Sequence, residues 1–154
     1  MEDNFTFQLN QIRSMDKSDP HEFLKLVCDY LKEKNEKYNW VGIYILEENE
    51  LRLETFVGRP TEHIQIPIGE GLCGQAIVKG SVINESDVKS NTEYLACSIE
   101  TNSELVVPIS FENKLTGEID IDSDFKSAFS EDDENFLLYV AQIVSESTKK
   151  CAKE

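Results

Sequence analysis

The chain has 154 residues, of which 40% are hydrophobic, which is enough for one domain with a buried core. Its formal net charge is −15, from 30 acidic and 15 basic residues. Nucleic acids and anionic membranes bind basic surfaces, so this charge argues against both partners. It favours a cationic or amphoteric small ligand over an anionic one.

The N-terminal residues lack the basic and apolar segments of a signal peptide, and no run is apolar enough to cross a bilayer. We therefore expect a cytoplasmic protein. Four cysteines are scattered along the chain: Cys28, Cys73, Cys97 and Cys151. We expect thiols rather than a disulfide framework. Because no CxxC pair exists and His21 and His63 are the only histidines, we expect no metal site.

Two helices are predicted before residue 38. Apolar residues at helical spacing indicate a weak helix over 5–12. The tripeptide at 18–20 supplies a capping residue and a proline for a second helix, which runs through about Lys37. Cys28 lies on the apolar face of this helix and is expected in the core. His21, in its first turn, is expected to be solvated.

The rest of the chain predicts two hairpins, short central elements and a final helix. Alternating apolar residues indicate strands at 40–46, 51–57, 105–111 and 115–122. Between the hairpins we expect an edge strand at 64–68, a glycine turn at 69–74, a helix at 75–79, a strand at 81–84 and a polar loop at 85–93. Ser130 caps the last helix. This order predicts an α+β fold: a largely antiparallel sheet with the terminal helices on one face and a lidded pocket on the other.

The loop and strand over 94–109 hold the first candidate catalytic residues. Cys97 and Glu104 are seven positions apart, so a folded-back loop can bring both to one cavity; the alternative is a surface loop with a half-buried cysteine. Cys97 has no histidine in its motif to act as a base. A thiolate that takes oxygen from a substrate needs instead access, a proton donor and a second thiol. Glu104 and nearby aspartates are candidates for the donor, and Cys73 for the second thiol.

Asp120 and Asp122 share one face of a strand, with Ile121 on the other. With Glu104 at the start of the neighbouring strand, three carboxylates can converge. Such a cluster can hold an α-ammonium group or donate a proton if crowding raises a pKa. Periodicity alone favours the alternative, in which this face is exposed to solvent and the aspartates begin a turn.

Two further features have a structural and a functional interpretation. The glycines at 69–74 have the spacing of a phosphate-binding turn, but the short flanking elements favour a tight strand-to-helix turn. Cys73, near a helix N-terminus, is either an unusually acidic thiol or a small buried residue. Trp40 and Tyr44 lie on the same face of one strand. They either form the wall of a pocket for an apolar or sulfur-containing group or belong to the hydrophobic core.

Four segments together resemble the free methionine-(R)-sulfoxide reductases, which are single GAF-domain enzymes. The segments are Asn39–Tyr44, Ile66–Gly74, Ala96-Cys97 with Asn102–Glu104, and Gly117–Ser123. The glycine turn alone would mark any GAF domain. The resemblance implies one GAF domain over 1–154, with N-terminal helices over 1–37 and the GAF core and last helix over 38–150. It also implies a six-stranded antiparallel sheet flanked by helices.

The resemblance also implies an activity: reduction of free L-methionine-(R)-sulfoxide to methionine, without a cofactor. Cys97 matches the nucleophile that becomes a sulfenic acid. Trp40 matches the ring that packs on the substrate's methyl group, with Tyr44 beside it. The carboxylates that bind and polarise the substrate are matched by Glu104, Asp120 and Asp122.

One family cysteine, just before the strand at 64–68, is replaced here by His63 or a neighbour. Cys73 matches another family cysteine and is the candidate that resolves the sulfenic acid. Alternatively, a thioredoxin-like protein or a low-molecular-weight dithiol reduces Cys97 directly. A non-catalytic binding module and a thiol redox sensor are the competing functions. A homodimer and closure of the 85–103 loop as a lid are left open, and Cys151 is expected to be exposed and incidental.

Overall fold

The computed structural model describes residues 3–91 and 99–153. These residues form one six-stranded sheet and four α-helices. The strands are β1 (Trp40–Glu47), β2 (Glu50–Val57), β3 (Gln65–Pro67), β4 (Ile83–Glu85), β5 (Ser103–Phe111) and β6 (Lys114–Ser123). The helices are α1 (Asn4–Arg13), α2 (Pro20–Lys34), α3 (Gly71–Lys79) and α4 (Glu131–Cys151), with a 3₁₀ turn at Val88–Ser90. All neighbouring strands are antiparallel in the order β3-β2-β1-β6-β5-β4, which confirms the predicted α+β class.

Helices α2 and α4 cover one face of the sheet, and α1 packs against α4. Asp19 caps α2 through the backbone N–H groups of His21 and Glu22. Ser130 and Asp133 form a capping box at the start of α4, as the sequence indicated. The apolar stripes of these helices pack against alternate residues of the central strands, such as Val41, Ile43, Val107 and Ile119. The prediction that the terminal helices share one face is confirmed.

Helix α3 covers part of the other face. A smaller apolar cluster lies there, formed by Trp40, Tyr44, Leu51, Ile66, Leu72, Cys73, Ala76, Ile77, Val88 and Val106. Because successive strand residues point to opposite faces, the even-numbered residues at the start of β1 turn toward α3. The short strands β3 and β4 form the two edges of the sheet, in agreement with the proline expected at an edge. The face beneath α3 therefore holds the candidate site residues.

Some predicted boundaries were wrong. Helix α2 ends at Lys34 rather than near Lys37, because Asn35 leaves the helix and its side-chain amide donates to the Leu31 carbonyl oxygen at 2.9 Å. Helix α3 begins at Gly71, so the glycine turn forms its first turn. The turn interpretation itself is confirmed: a Cβ on Gly74 would lie 2.7 Å from the backbone nitrogen of Gly69.

None of the helices in residues 3–91 and 99–153 has both the length and the apolar character needed to cross a bilayer.

Candidate active site

Three predicted carboxylates converge on the α3 face of the sheet. Glu104 of β5 lies directly opposite Asp122 of β6, and Asp120 is two residues further along the same face. The side chains are buried, with 5%, 2% and 2% exposure for Glu104, Asp120 and Asp122. We call these three residues the acid cluster. The expectation from periodicity that this face is exposed was wrong, because α3 packs across β5 and β6.

Hydrogen bonds within the acid cluster require protons. Glu104 is hydrogen-bonded to both Asp120 and Asp122. An ionised carboxylate only accepts hydrogen bonds, so each contact between two carboxyl groups needs a proton. Burial raises the pKa of Asp120 and of Asp122, and the negative charge of Asp120 raises that of Asp122 further. The cluster therefore holds protons more tightly than isolated carboxyl groups do.

A fourth buried acid, Glu118, was missed as a site residue. It precedes Asp120 by two positions on the same face of β6 and has 0% exposure. Among the described residues, no N–H or O–H group donates to its carboxylate oxygens, and the group within hydrogen-bonding range is the Cys73 thiol. Burial raises its pKa well above the usual value, and the Asp120 charge adds to this. The even spacing of residues 118, 120 and 122, with isoleucines between them, was the signal that could have identified it.

Cys73 lies in the first turn of α3, against the acid cluster. Its thiol is 4% exposed and donates a hydrogen bond to Oε2 of Glu104 at 3.9 Å. Burial is the main cause that raises the pKa of this thiol well above its usual value, and the negative charges of Asp120 and Glu118 raise it further. The acidic-thiol alternative was therefore wrong, since burial and nearby carboxylates outweigh the helix N-terminus. The other interpretation, a small buried residue, is confirmed.

Trp40, the first residue of β1, has two contacts that position its ring. Its indole Nε1 donates to the Arg59 carbonyl oxygen at 2.9 Å, and its ring stacks on Phe56 with 5.6 Å between centroids. Gly42 provides the space for this ring, because a Cβ at that position would lie 2.4 Å from the indole. The Arg59 guanidinium is in turn ion-paired with Asp124 beyond the end of β6. Trp40 is therefore fixed to the connection between β2 and β3.

A small cavity lies between β1, β3 and α3. Four predicted site residues line it: Tyr44, Cys73, Glu104 and Asp120. The Tyr44 hydroxyl donates to the carbonyl oxygen of His63, another lining residue, at 2.8 Å. The free space is about 10 Å³, enough for about one water molecule. Trp40 and Asp122 are not among the residues that line this cavity; they are strand partners across β1 and β6, which places Trp40 beside the acid cluster.

The predicted nucleophile Cys97 belongs to residues 92–98, which lie outside the described part of the chain. Its proximity to Glu104 and Cys73 stays a prediction. The 85–103 loop, whose closure as a lid was left open, includes the same residues.

The two remaining cysteines lie in the helical layer. Cys28 is fully buried in α2, as expected. Cys151 was expected to be exposed, and this was wrong: α4 extends to it and packs it into the core at 3% exposure. Burial raises its pKa to about 11. His21 was expected to be merely solvated, but its Nδ1 lies 2.7 Å from Oε2 of Glu54 and 3.4 Å from the Cys151 sulfur.

Residues 17–147 match the GAF domain family. The chain is 35% identical over 122 residues to the free methionine-R-sulfoxide reductase of Escherichia coli (strain K12), covering 79% of this chain and 72% of that protein. A type II free methionine-R-sulfoxide reductase structure from Thermoplasma acidophilum has a TM-score of 0.82 and 48% identity, covering 86% of this chain and 96% of its own.

A free methionine-R-sulfoxide reductase structure from Neisseria meningitidis, in complex with its substrate, has a TM-score of 0.88 and 32% identity. The match covers 97% of this chain and 92% of that one. Both the family match and the relatives span most of the chain. The chain therefore belongs to the GAF domain family and, within it, to the free methionine-R-sulfoxide reductases.

Proposed function

We propose that this protein reduces free L-methionine-(R)-sulfoxide to L-methionine in the cytoplasm, with a thiol as the final reductant. The observation that carries the proposal is the acid cluster, a buried set of proton-holding carboxyl groups with the Cys73 thiol against it. The similarity of this chain to free methionine-R-sulfoxide reductases supports assigning sulfoxide reduction to this site.

The acid cluster suits a free amino acid. An α-ammonium group beside Asp120 and Asp122 lowers the cost of ionising them, so the substrate's charge and the buried carboxylates stabilise each other. A methionine sulfoxide inside a peptide carries an amide at that position and offers no such charge. The cluster therefore favours the free amino acid over the peptide-bound form.

The sulfur and methyl group of the substrate require an apolar surface to pack against. Aromatic rings make favourable contacts with sulfur at their edges. The indole of Trp40 is held by Arg59 and Gly42 next to the acid cluster, and Tyr44 lines the cavity. Since the cavity holds about one water molecule, substrate binding requires it to widen.

In the first chemical step, the sulfoxide S–O bond breaks and an S–O bond forms at Cys97. A carboxyl group of the acid cluster protonates the sulfoxide oxygen, and the Cys97 thiol returns a proton to the cluster. The sulfoxide is reduced by two electrons and Cys97 is oxidised by two, to a sulfenic acid. The products are methionine and the oxidised enzyme.

In the second step, a thiol attacks the sulfenic acid, which releases water and forms a disulfide. If Cys73 is the attacking thiol, the two thiol groups of an external reductant then reduce the Cys73–Cys97 disulfide and are themselves oxidised to a disulfide; a mixed disulfide with an external thiol needs only one further thiol. Cys73 is our candidate for the attacking thiol, because Glu104 accepts its S–H hydrogen bond and is positioned to take its proton. The alternative is direct attack by a thioredoxin-like protein or a low-molecular-weight dithiol.

The test is an assay of three compounds with dithiothreitol as reductant: the free R sulfoxide, the free S sulfoxide and a peptide-bound sulfoxide. We expect consumption of the free R form alone. Consumption of none of the three would favour a binding module or a redox sensor. Equal use of free and peptide-bound sulfoxide would contradict the role given to the α-ammonium group.

A further inference from the structure

A group of potential metal ligands lies outside the candidate active site, where the start of α2, strand β2 and the end of α4 meet. His21 Nδ1 lies 2.7 Å from Glu54 Oε2 and 3.4 Å from Cys151 Sγ. The three potential ligand atoms all lie within 4.8 Å of one another. Imidazole nitrogen, carboxylate oxygen and thiolate sulfur are together the ligand types that zinc takes in proteins.

Neighbouring side chains hold two of these ligands in place. The Arg52 guanidinium donates to Oε1 of Glu54 at 3.0 Å, which leaves Oε2 directed at His21. It also donates to the backbone carbonyl oxygen of Cys151 at 3.2 Å. Glu47 pairs with the same guanidinium at 2.8 Å. Such outer contacts orient metal ligands and strengthen binding.

Burial and charge at this cluster also suit a divalent cation. Cys151 is 3% exposed and the Glu54 side chain 9%, while the His21 side chain is 61% exposed. The histidine side therefore gives an ion access from solvent and room for a water ligand. A Cys151 thiolate and the Glu54 carboxylate would balance two positive charges, and Glu47 balances Arg52.

We propose that His21 Nδ1, Glu54 Oε2 and Cys151 Sγ bind one zinc ion, with water as the fourth ligand. The ion joins the end of α4 to the start of α2 and to β2. It displaces the thiol proton of Cys151, and any Nδ1 proton of His21, to solvent. The proposal is independent of the reductase activity, since none of these residues belongs to the acid cluster or its cavity.

The absence of a CxxC pair and the presence of only two histidines predicted no metal site. A ligand set drawn from positions 21, 54 and 151 has no local spacing to detect. Only the docking of α2 and α4 on the sheet brings these side chains together.

The test uses Co²⁺ as a spectroscopic substitute for Zn²⁺. The starting protein carries Cys73→Ser and Cys97→Ser, which removes the two thiols of the proposed reductase site. We expect one Co²⁺ per chain, a near-ultraviolet sulfur-to-cobalt charge-transfer band and displacement by Zn²⁺. Adding Cys151→Ser should remove that band. Adding His21→Gln should weaken Co²⁺ binding by at least about tenfold, the lower end of losses seen for outer-shell partners.

His63→Gln is the matched histidine control and should leave the band and the affinity unchanged. Circular dichroism of each metal-free variant checks the fold. If Cys151→Ser does not fold, His21→Gln decides, because that side chain is largely exposed. Absence of stoichiometric Co²⁺ binding, a band that survives Cys151→Ser, or unchanged affinity in His21→Gln would overturn the proposal.

Discussion

The thiol of Cys73 donates a hydrogen bond to Glu104 across 3.9 Å, and both side chains line one cavity. Burial raises the pKa of this thiol, so at neutral pH it is a proton donor rather than a thiolate. Its proton must be transferred before the sulfur can attack a sulfenic acid, and Glu104 is in place to accept it. This relationship defines how Cys73 can act in the proposed reaction.

We expect Cys73→Ser to slow steady-state turnover with thioredoxin while sparing the first turnover. Oxygen transfer to Cys97 does not use the Cys73 thiol, whereas resolution of the sulfenic acid does. Single-turnover methionine release and steady-state rates separate the two steps. An unchanged steady-state rate would show that the external thiol acts on Cys97 directly.

Cys97→Ser should abolish thiol-dependent reduction of free methionine-(R)-sulfoxide, because a hydroxyl cannot take the oxygen atom and pass it to a thiol. Methionine formation under dithiothreitol is the measurement. Cys151→Ser also removes one thiol but keeps Cys97, and it serves as the matched control once circular dichroism shows that this buried substitution folds. Retained activity in Cys97→Ser would remove that residue from the mechanism.

Glu104→Gln should lower kcat/KM by about a hundredfold, the lower end of the range for loss of a positioned proton donor. The amide keeps the shape of the side chain but cannot pass a proton between the aspartates and the substrate. Steady-state kinetics across pH measure the effect. Glu112→Gln makes the same chemical change in the exposed β5–β6 turn and should be neutral. Kinetics equal to those of that control would exclude Glu104 from the site.

Glu118→Gln should stabilise the folded protein increasingly as the pH rises above 4.5, the usual carboxyl pKa. Below that pH, Glu118 is protonated in both the folded and the unfolded chain, so the variant gains little. Above it, the unfolded chain ionises while the buried side chain stays protonated, and wild-type stability falls by about 1.4 kcal/mol per pH unit relative to the variant. This continues until the pH reaches the raised pKa of the folded state.

Urea unfolding of wild type and Glu118→Gln between pH 4.5 and neutrality tests this, with Glu112→Gln as the exposed control. A difference in unfolding free energy that does not change with pH would contradict a raised pKa at Glu118.

Gly42→Ala should raise the KM for methionine sulfoxide. The added Cβ would lie 2.4 Å from the Trp40 ring, which must then move from its hydrogen bond to the Arg59 carbonyl. Overpacking of this kind also costs about 1–3 kcal/mol of stability. The KM reports the change in substrate binding, and the fluorescence of Trp40, the single tryptophan, reports the displacement of its ring. A normal KM with an altered fluorescence spectrum would show that the position of Trp40 does not matter for binding.

Local patterns in the sequence predicted the hairpins, the capped helices and the fold class correctly. Ser130 caps α4 as expected, and the capping residue expected within 18–20 is Asp19, because capping depends on residues within one turn. The two-residue spacing of Asp120 and Asp122 also predicted that they share one strand face. These properties depend on backbone geometry that neighbouring residues determine.

Only the tertiary structure decided that the face of β6 carrying the acid cluster is covered. That coverage determines the burial and the pKa values of the site residues. Alternation shows which residues share a face, but coverage of that face depends on α3, about 40 positions earlier in the chain. The same docking buries Cys73 and Glu118 and raises their pKa values. The contact of Cys151 with His21 likewise depends on how α4 packs against α2. Ionisation and long-range contacts follow burial, and burial is a property of the assembled layers rather than of any local segment.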